Sequence, residues 1–317
     1  LDFAMRWDFG WAQGPFETWQ AAGWADTAQA IAADIAAGKS MSQIALPDWV
    51  LESGRTGVHT AQGSYSASKN AYVARSTLPV YQRQLFPERV LGEIAPTPEK
   101  SGETLYENDG VRLWKLAAVD DKIGIISIKS KMHTIGNEVL DGVIAAVRQA
   151  ESTLDGVVIW HEAPFAVGAN LQQVGEACAA GQFDLLEATV EKFQRASQTL
   201  KYAQVPVVAA VQGMALGGGC EFVMHAAKRV MALESYVGLV EVGVGLVPGA
   251  GGLTYIARRA AENMALSTSK DVLPFLTEGF TAAAMAKVGT SALESRKLGY
   301  LLESDVVVAH KDELLFV

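Results

Sequence analysis

Residues able to hold metals or form covalent bridges are scarce in this chain. Of 317 residues only two are cysteines, Cys178 and Cys220, and neither belongs to a CxxC or a Cys/His pair. A structural zinc site therefore has no basis, and the composition suits a reducing compartment. The five histidines, His59, His133, His161, His225 and His310, are dispersed without an HExxH, which argues against a zinc protease. No run of 18 or more apolar residues exists to span a bilayer. The opening LDFAMRWDFG lacks a signal peptide's basic-then-apolar order and an initiator Met, so the chain is expected to be cut from something longer. The KDEL at Lys311–Leu314 is followed by three further residues and is not a terminal retention signal. Basic residues are outnumbered 26 to 35, giving a net charge of −9, whereas nucleic-acid binding calls for a clustered basic face.

Apolar material is ample: 50% of residues are hydrophobic and 19% charged, which excludes a disordered chain. At about 150 residues per domain the length allows roughly two. Five of the seven tryptophans (Trp7, Trp11, Trp19, Trp24 and Trp49) lie in the first 49 residues. Residues 1–53 read as helical, with an Ala-rich helix over Ala21–Ala37 ending at Gly38, and residues 54–76 read as polar loop. The segment EIAPTPEKSGET, residues 93–104, with two prolines and several charges, marks a boundary. This gives two domains, 1–100 and 101–317. After the boundary the pattern predicts strands over Val111–Val119, Ile123–Ile128, Gly156–Trp160, Val205–Val211 and Arg229–Leu233. Helices are predicted over Asn137–Ala150 and Leu185–Tyr202. Alternation of this kind implies an α/β fold with largely parallel, buried strands.

Glycine is unevenly spread. Ten of the 30 fall between Gly213 and Gly252. In VPVVAAVQGMALGGGCEFVM, Val205–Met224, a buried strand runs into Gly217-Gly218-Gly219 and then into an apolar helix. Bare backbone at a helix start presents outward N–H groups suited to an oxyanion; the alternative is a close helix–strand contact that needs no side chain. Glu221 lies among Cys220, Phe222, Val223 and Met224, and a carboxylate in such company is either buried or facing a cavity. In GLVEVGVGLVPGAGG, Gly238–Gly252, Glu241 is the only charge. It is either a second pocket acid or a solvated loop residue. Two acids in apolar surroundings suit general acid–base work, since proximity can push their pKa values apart. GVGLVPGAGG is a poor dinucleotide loop, because Pro248 replaces the third glycine, and neither GxxxxGK[ST] nor GxSxG occurs. The turn in FAVGANL, Phe165–Leu171, offers one more outward N–H.

Taken in order, FAVGANL, GMALGGGCE and VEVGVGLVPGAGG resemble motifs of the enoyl-CoA hydratase/isomerase (crotonase) superfamily over roughly Gly110–Val317, with Glu221 and Glu241 spaced 20 apart. The resemblance implies a crotonase-like ββα spiral and an acyl-CoA substrate. It implies an oxyanion hole from the N–H groups of Val167 and Gly218 and catalysis by Glu221 and Glu241. It further implies a water oriented by Gly249, at the start of the following helix, and CoA contacts near Lys131, Ala169 and Asn170. Asn170 departs from the family's usual Asp, where no chemistry is expected of the side chain. The expected reaction is hydration of a 2-trans-enoyl-CoA, with Δ3,Δ2-enoyl-CoA isomerisation or an inactive scaffold piece as alternatives. The resemblance implies no cofactor and no metal for the hydratase. His133 is expected to be an ordinary surface histidine.

FGWAQGPFETWQAAG, Phe9–Gly23, with Gly14-Pro15-Phe16-Glu17, resembles the C-terminal helical domain of 3-hydroxyacyl-CoA dehydrogenases. The whole is thus similar to the C-terminal portion of a bifunctional β-oxidation protein whose NAD-binding domain lies upstream. The resemblance implies a homo-oligomer, with a trimer among the options. It implies a cytoplasmic setting in a bacterium, or mitochondrial matrix or peroxisome in a eukaryote. The tail AHKDELLFV is expected to begin a helix.

Overall fold

A computed structural model describes residues 1–93 and 96–317. Ile94 and Ala95, inside the expected break, lie outside the described residues. The chain forms two compact units, Leu1–Thr97 and Pro98–Val317.

The first unit begins with α1 (Asp2–Phe9), α2 (Pro15–Ala21) and α3 (Trp24–Ala36). The single helix expected over Ala21–Ala37 is broken at Gly23, whose φ of 97° is the left-handed region that glycine tolerates. Where a loop is expected, the chain makes a three-stranded antiparallel sheet of β1 (His59–Thr60), β2 (Gly63–Ser66) and β3 (Ala71–Val73). Its strands are two to four residues long and mostly polar, too short to show an alternating pattern. Tertiary aromatics hold them. The Arg55 guanidinium lies 3.8 Å from the Tyr65 ring, Tyr65 packs on Trp49, and Trp49, Trp24 and Trp19 stack in series. A short helix, α4 (Pro79–Gln82), follows.

Gly-Pro-Phe-Glu opens α2. Pro15 takes the first helical turn, where a missing N–H costs nothing, and Glu17 accepts the N–H of Gly14 and of Leu91. A Cβ on Gly14 would sit 2.3 Å from Asp2. Asp2, 4% exposed, accepts the Phe16 N–H through one oxygen and holds His59 Nε2 through the other, while His59 Nδ1 meets Ser64 Oγ at 2.8 Å. This trio clasps α1, α2 and the small sheet. Asp2→Ala is expected to strand buried partners and lower stability by about 1–3 kcal/mol. Tryptophan fluorescence during urea unfolding checks this, since five of the seven Trp belong to this unit.

The second unit is built on a seven-stranded sheet in the order β10-β9-β8-β7-β6-β5-β4. Its strands are β4 (Glu103–Glu107), β5 (Val111–Lys115), β6 (Ile123–Ile128), β7 (Gly156–Ile159), β8 (Val207–Leu216), β9 (Lys228–Gly238) and β10 (Val306–Val308). From β6 to β10 the pairing is parallel, as expected of buried apolar strands; β4–β5–β6 are antiparallel. Edge strand β4 begins inside the expected break, where ETLYE carries too many exposed polar positions to read as a strand. β5 stops at Lys115, short of Val119. β8 and β9 outrun expectation: β8 continues past Val211 through a bulge at Gly213, φ 64°, so this glycine bends a strand instead of ending it.

Helices cover the sheet: α5 (Asn137–Thr153), α6 (Leu171–Ala179), α7 (Phe183–Tyr202), α8 (Gly218–His225), α9 (Gly252–Ala265), α10 (Leu273–Ala284) and α11 (Ala292–Lys297). The expected face of α5, Val139, Val143, Ile144 and Val147, is buried in the core with Leu113, Ile126, Val157 and Val211. Burying each such side chain contributes about 1.5–3 kcal/mol. The tail closes as β10 and a single 3₁₀ turn at Lys311–Glu313, not the expected helix; His310 Nδ1 accepts the Asp312 N–H and caps the turn. No helix among the described residues is long and apolar enough to cross a membrane.

Candidate active site

The site forms where β8 gives way to α8. Gly217 takes φ 52° and ψ −122°, a conformation side chains disfavour, and lets the chain turn directly into the helix. The loop after β7 lies alongside. Ala166 pairs with Ala215: its N–H donates to the Met214 carbonyl at 3.0 Å, and its carbonyl accepts from Leu216 at 2.9 Å. Glycine is needed here for close approach. A Cβ on Gly219 would lie 2.6 Å from the Ala166 carbonyl oxygen, and one on Gly168, whose φ is 99°, 3.1 Å from the Leu216 carbonyl oxygen. The close-contact alternative read from the glycine run is what the geometry shows: the glycines permit tight packing, and that packing brings two bare loops side by side. Among the described residues neither the Val167 N–H nor the Gly218 N–H has an acceptor.

Glu221, in the first turn of α8, is 2% exposed. Its Oε1 accepts the N–H of Ala250 at 2.9 Å and of Gly252 at 2.8 Å. Burial, then the charge of Glu241, push its pKa up to about 8, against the pull of those two N–H groups. Glu241 opens a 3₁₀ turn, Glu241–Val244, and points back at the glycine loop: a Cβ on Gly217 would lie 3.3 Å from its Oε1. Both its oxygens are buried without a hydrogen-bond partner among the described residues. Burial raises its pKa as well. The buried Cys220 thiol is pushed up by burial and by both glutamates, so it stays protonated and is a poor nucleophile.

The Glu221 shift has a signed consequence. The folded carboxyl, near 8, holds its proton more tightly than an unfolded one at 4.5. Its contribution to stability is therefore intact below 4.5 and lost as pH rises through about 8. At about 1.4 kcal/mol per pK unit this amounts to a few kcal/mol. Urea midpoints followed from pH 5 to 9 should decline in the wild type and run flatter in Glu221→Gln; identical slopes would contradict the shift.

Other expected site residues fall out unevenly. Gly249 is not at a helix start, because α9 begins at Gly252; the Gly249 carbonyl accepts from Gln194 Nε2 at 2.9 Å. The turn's inward donors are Ala250 and Gly252, which sequence reasoning missed because backbone donors carry no side-chain signature. Ala169 and Asn170 border a cavity of about 380 Å3, also lined by Asn137, Gln173, Glu176 and Phe193. Lys131 is exposed on the 3₁₀ turn Lys131–His133 and does not line it. Asn170 caps α6 by accepting the Gln173 N–H. His133 departs from expectation: it is half-buried, packed 4.0 Å from the His161 ring.

The sequence profile described as Enoyl-CoA hydratase/isomerase matches residues 120–289, more than half of the chain. The chain belongs to the enoyl-CoA hydratase/isomerase family. Solved relatives of this family share the fold, a crotonase-type α/β spiral. An enoyl-CoA hydratase from Polaromonas sp. JS666 superposes with a TM-score of 0.52 at 21% identity, over 64% of this chain and 72% of that one. One from Thermoplasma volcanium gives 0.51 at 21%, over 64% and 73%. A Bacillus subtilis protein named as a 3-hydroxyacyl-CoA dehydrogenase is 31% identical over 100% of this chain, which spans only 37% of that protein's length. A fatty acid oxidation complex subunit alpha from Acinetobacter baumannii is 34% identical over 50% of this chain and 22% of its own.

Proposed function

We propose that this enoyl-CoA hydratase/isomerase family member catalyses the reversible syn hydration of a 2-trans-enoyl-CoA to the 3-hydroxyacyl-CoA, as one section of a multifunctional fatty-acid oxidation polypeptide. One observation carries the reading: two buried carboxyls with raised pKa values beside two N–H groups that have no acceptor among the described residues. The Val167 and Gly218 N–H groups donate to the thioester oxygen and stabilise the enolate that forms as water adds at C3. One such donor is worth about 2.7–4 kcal/mol in the transition state. Glu221 and Glu241 hold the water as a pair sharing proton-transfer duty. One takes the water proton while the other, protonated, delivers a proton to C2 on the same face. Gly249 lies on the turn beside that water. Lys131, Ala169 and Asn170 are assigned to CoA recognition.

No cofactor enters this reaction; NAD would belong to a dehydrogenase section upstream, of which residues 1–100 would be the C-terminal helical part. A homo-oligomer, such as a trimer, and a compartment holding fatty-acid oxidation complete the proposal.

The test is crotonyl-CoA mixed with the chain, with loss of enoyl absorbance expected. A chain that neither binds nor hydrates crotonyl-CoA or a longer 2-enoyl-CoA, and shows no saturable acyl-CoA site, would favour the inactive assembly piece. Because both Glu241 oxygens lack a hydrogen-bond partner among the described residues while Glu221 Oε1 already takes two N–H groups, isomerisation on a single acid is the second reading. A 3-enoyl-CoA substrate gaining conjugated absorbance, with no hydration of the 2-enoyl-CoA, would favour it.

A further inference from the structure

Two histidines that the mechanism above leaves unused converge on the loop carrying Val167. They follow neighbouring strands: His133 comes after β6 and His161 directly after β7, and the parallel pairing of Ile126 with Ile159 puts the two strand ends side by side. Their rings are 4.0 Å apart. His133 Nδ1 meets the Pro164 carbonyl and His161 Nε2 meets the Phe165 carbonyl. A carbonyl only accepts, so each ring nitrogen donates. His161 is fixed further, because its Nδ1 accepts the Ile128 N–H at 3.4 Å and its own carbonyl accepts from Gln212 at 2.8 Å. The tautomer is thereby set, with the proton on Nε2.

The turn that delivers His133 is unusual. Met132 and His133 have φ of 55° and 51°, two successive non-glycine residues in the left-handed region. Such backbone persists only where surroundings hold it, and it gathers at functional positions. Downstream the loop is tied again: the Ala166 carbonyl accepts from Leu216, and the Gly168 carbonyl from Ile135. In the run 164–168 the carbonyls of Pro164, Phe165, Ala166 and Gly168 are thus all held, and the Val167 N–H remains without an acceptor among the described residues.

We propose that His133 and His161 form a two-ring clamp that positions the Val167 N–H to polarise the thioester oxygen. The inference rests on the hydratase reading. Both are positioning residues, acting through consecutive carbonyls of the loop and touching no reacting atom. A displaced donor weakens transition-state binding more than ground-state binding, so the signature falls on kcat.

The experiment uses the full chain with crotonyl-CoA and with a conjugated arylenoyl-CoA, whose absorption moves to the red as its carbonyl is polarised. His133→Ala and His161→Ala are expected to lower kcat tenfold or more with KM within threefold, and to shrink the red shift. His133→Asn and His161→Gln, whose amide nitrogens replace the donating ring positions, should recover most of both. Wild-type kcat and red shift in either folded Ala variant overturn the clamp. Failure of the amide variants to exceed their Ala counterparts overturns it too, since a packing role would depend on the ring. Should buried His161 variants not fold, the His133 pair decides alone. If the wild type shows neither hydration nor red shift, the hydratase reading fails; hydration with a red shift indifferent to the variants defeats only the clamp.

Discussion

Glu241→Gln and Glu221→Gln should each lower kcat for crotonyl-CoA hydration by about 10²–10⁴, the range that proton transfer by a positioned side chain supplies. The two substitutions are not equivalent structurally. At Glu221 the amide oxygen of Gln can go on accepting the Ala250 and Gly252 N–H groups that Oε1 now takes. The fold is therefore kept and only the titratable proton is removed. At Glu241 neither oxygen has a hydrogen-bond partner to lose among the described residues, so the substitution removes the titratable group without breaking a side-chain hydrogen bond. Because the Glu241 charge helps to raise the Glu221 pKa, its neutralisation should also bring Glu221 below about 8. KM and acyl-CoA binding by calorimetry should move only several-fold. Wild-type kcat in either variant would defeat the acid–base assignment, and loss of binding without loss of kcat would reassign the residue to substrate recognition.

The largest stability effect is expected at the buried pair that ties β9 to the chain entering β10. Arg229 Nε donates to Asp305 Oδ2 at 2.9 Å and Nη1 to the Ala226 carbonyl at 2.8 Å, while the same Asp305 oxygen accepts the Leu302 N–H at 2.7 Å. The two residues are 2% and 5% exposed. Among the described residues Arg229 Nη2 and Asp305 Oδ1 have no hydrogen-bond partner, so the pair already carries a desolvation cost. Removing one member leaves the other charged and buried. Arg229→Met or Asp305→Leu should each cost about 3–5 kcal/mol. At about 2–4 °C per kcal/mol for a unit of this size, Tm falls by roughly 6–20 °C. The double substitution Arg229→Met with Asp305→Leu should recover most of the loss, because replacing both charges by packed apolar groups is often near neutral. Urea unfolding of the four chains closes the cycle; single variants within about 0.5 kcal/mol of wild type, the range of ordinary surface changes, would refute it.

The two glutamates could be read from sequence for a physical reason. Each is a lone charge in apolar, glycine-rich chain, and burial without a partner is costly enough to be conspicuous. The helix face of α5 and the buried strands β6 and β7 were equally plain, because burial of a regular element repeats with its period. The sheet of the first unit was not. Residues 59–73 have no period to show, and an Arg55–Tyr65–Trp49 stack that crosses sequence distance holds them.

The linear chain, then, determined the α/β alternation, the family motifs and the two acids, since each is a local pattern of residue types. Tertiary structure alone decided which atoms meet. Parallel pairing of β6 with β7 brought His133 to His161, and the turn before α9 aimed the Ala250 and Gly252 N–H groups at Glu221. Both are contacts between segments far apart in sequence. Backbone donors and ring stacking have no local signature, and only packing of the whole sheet gives them a direction.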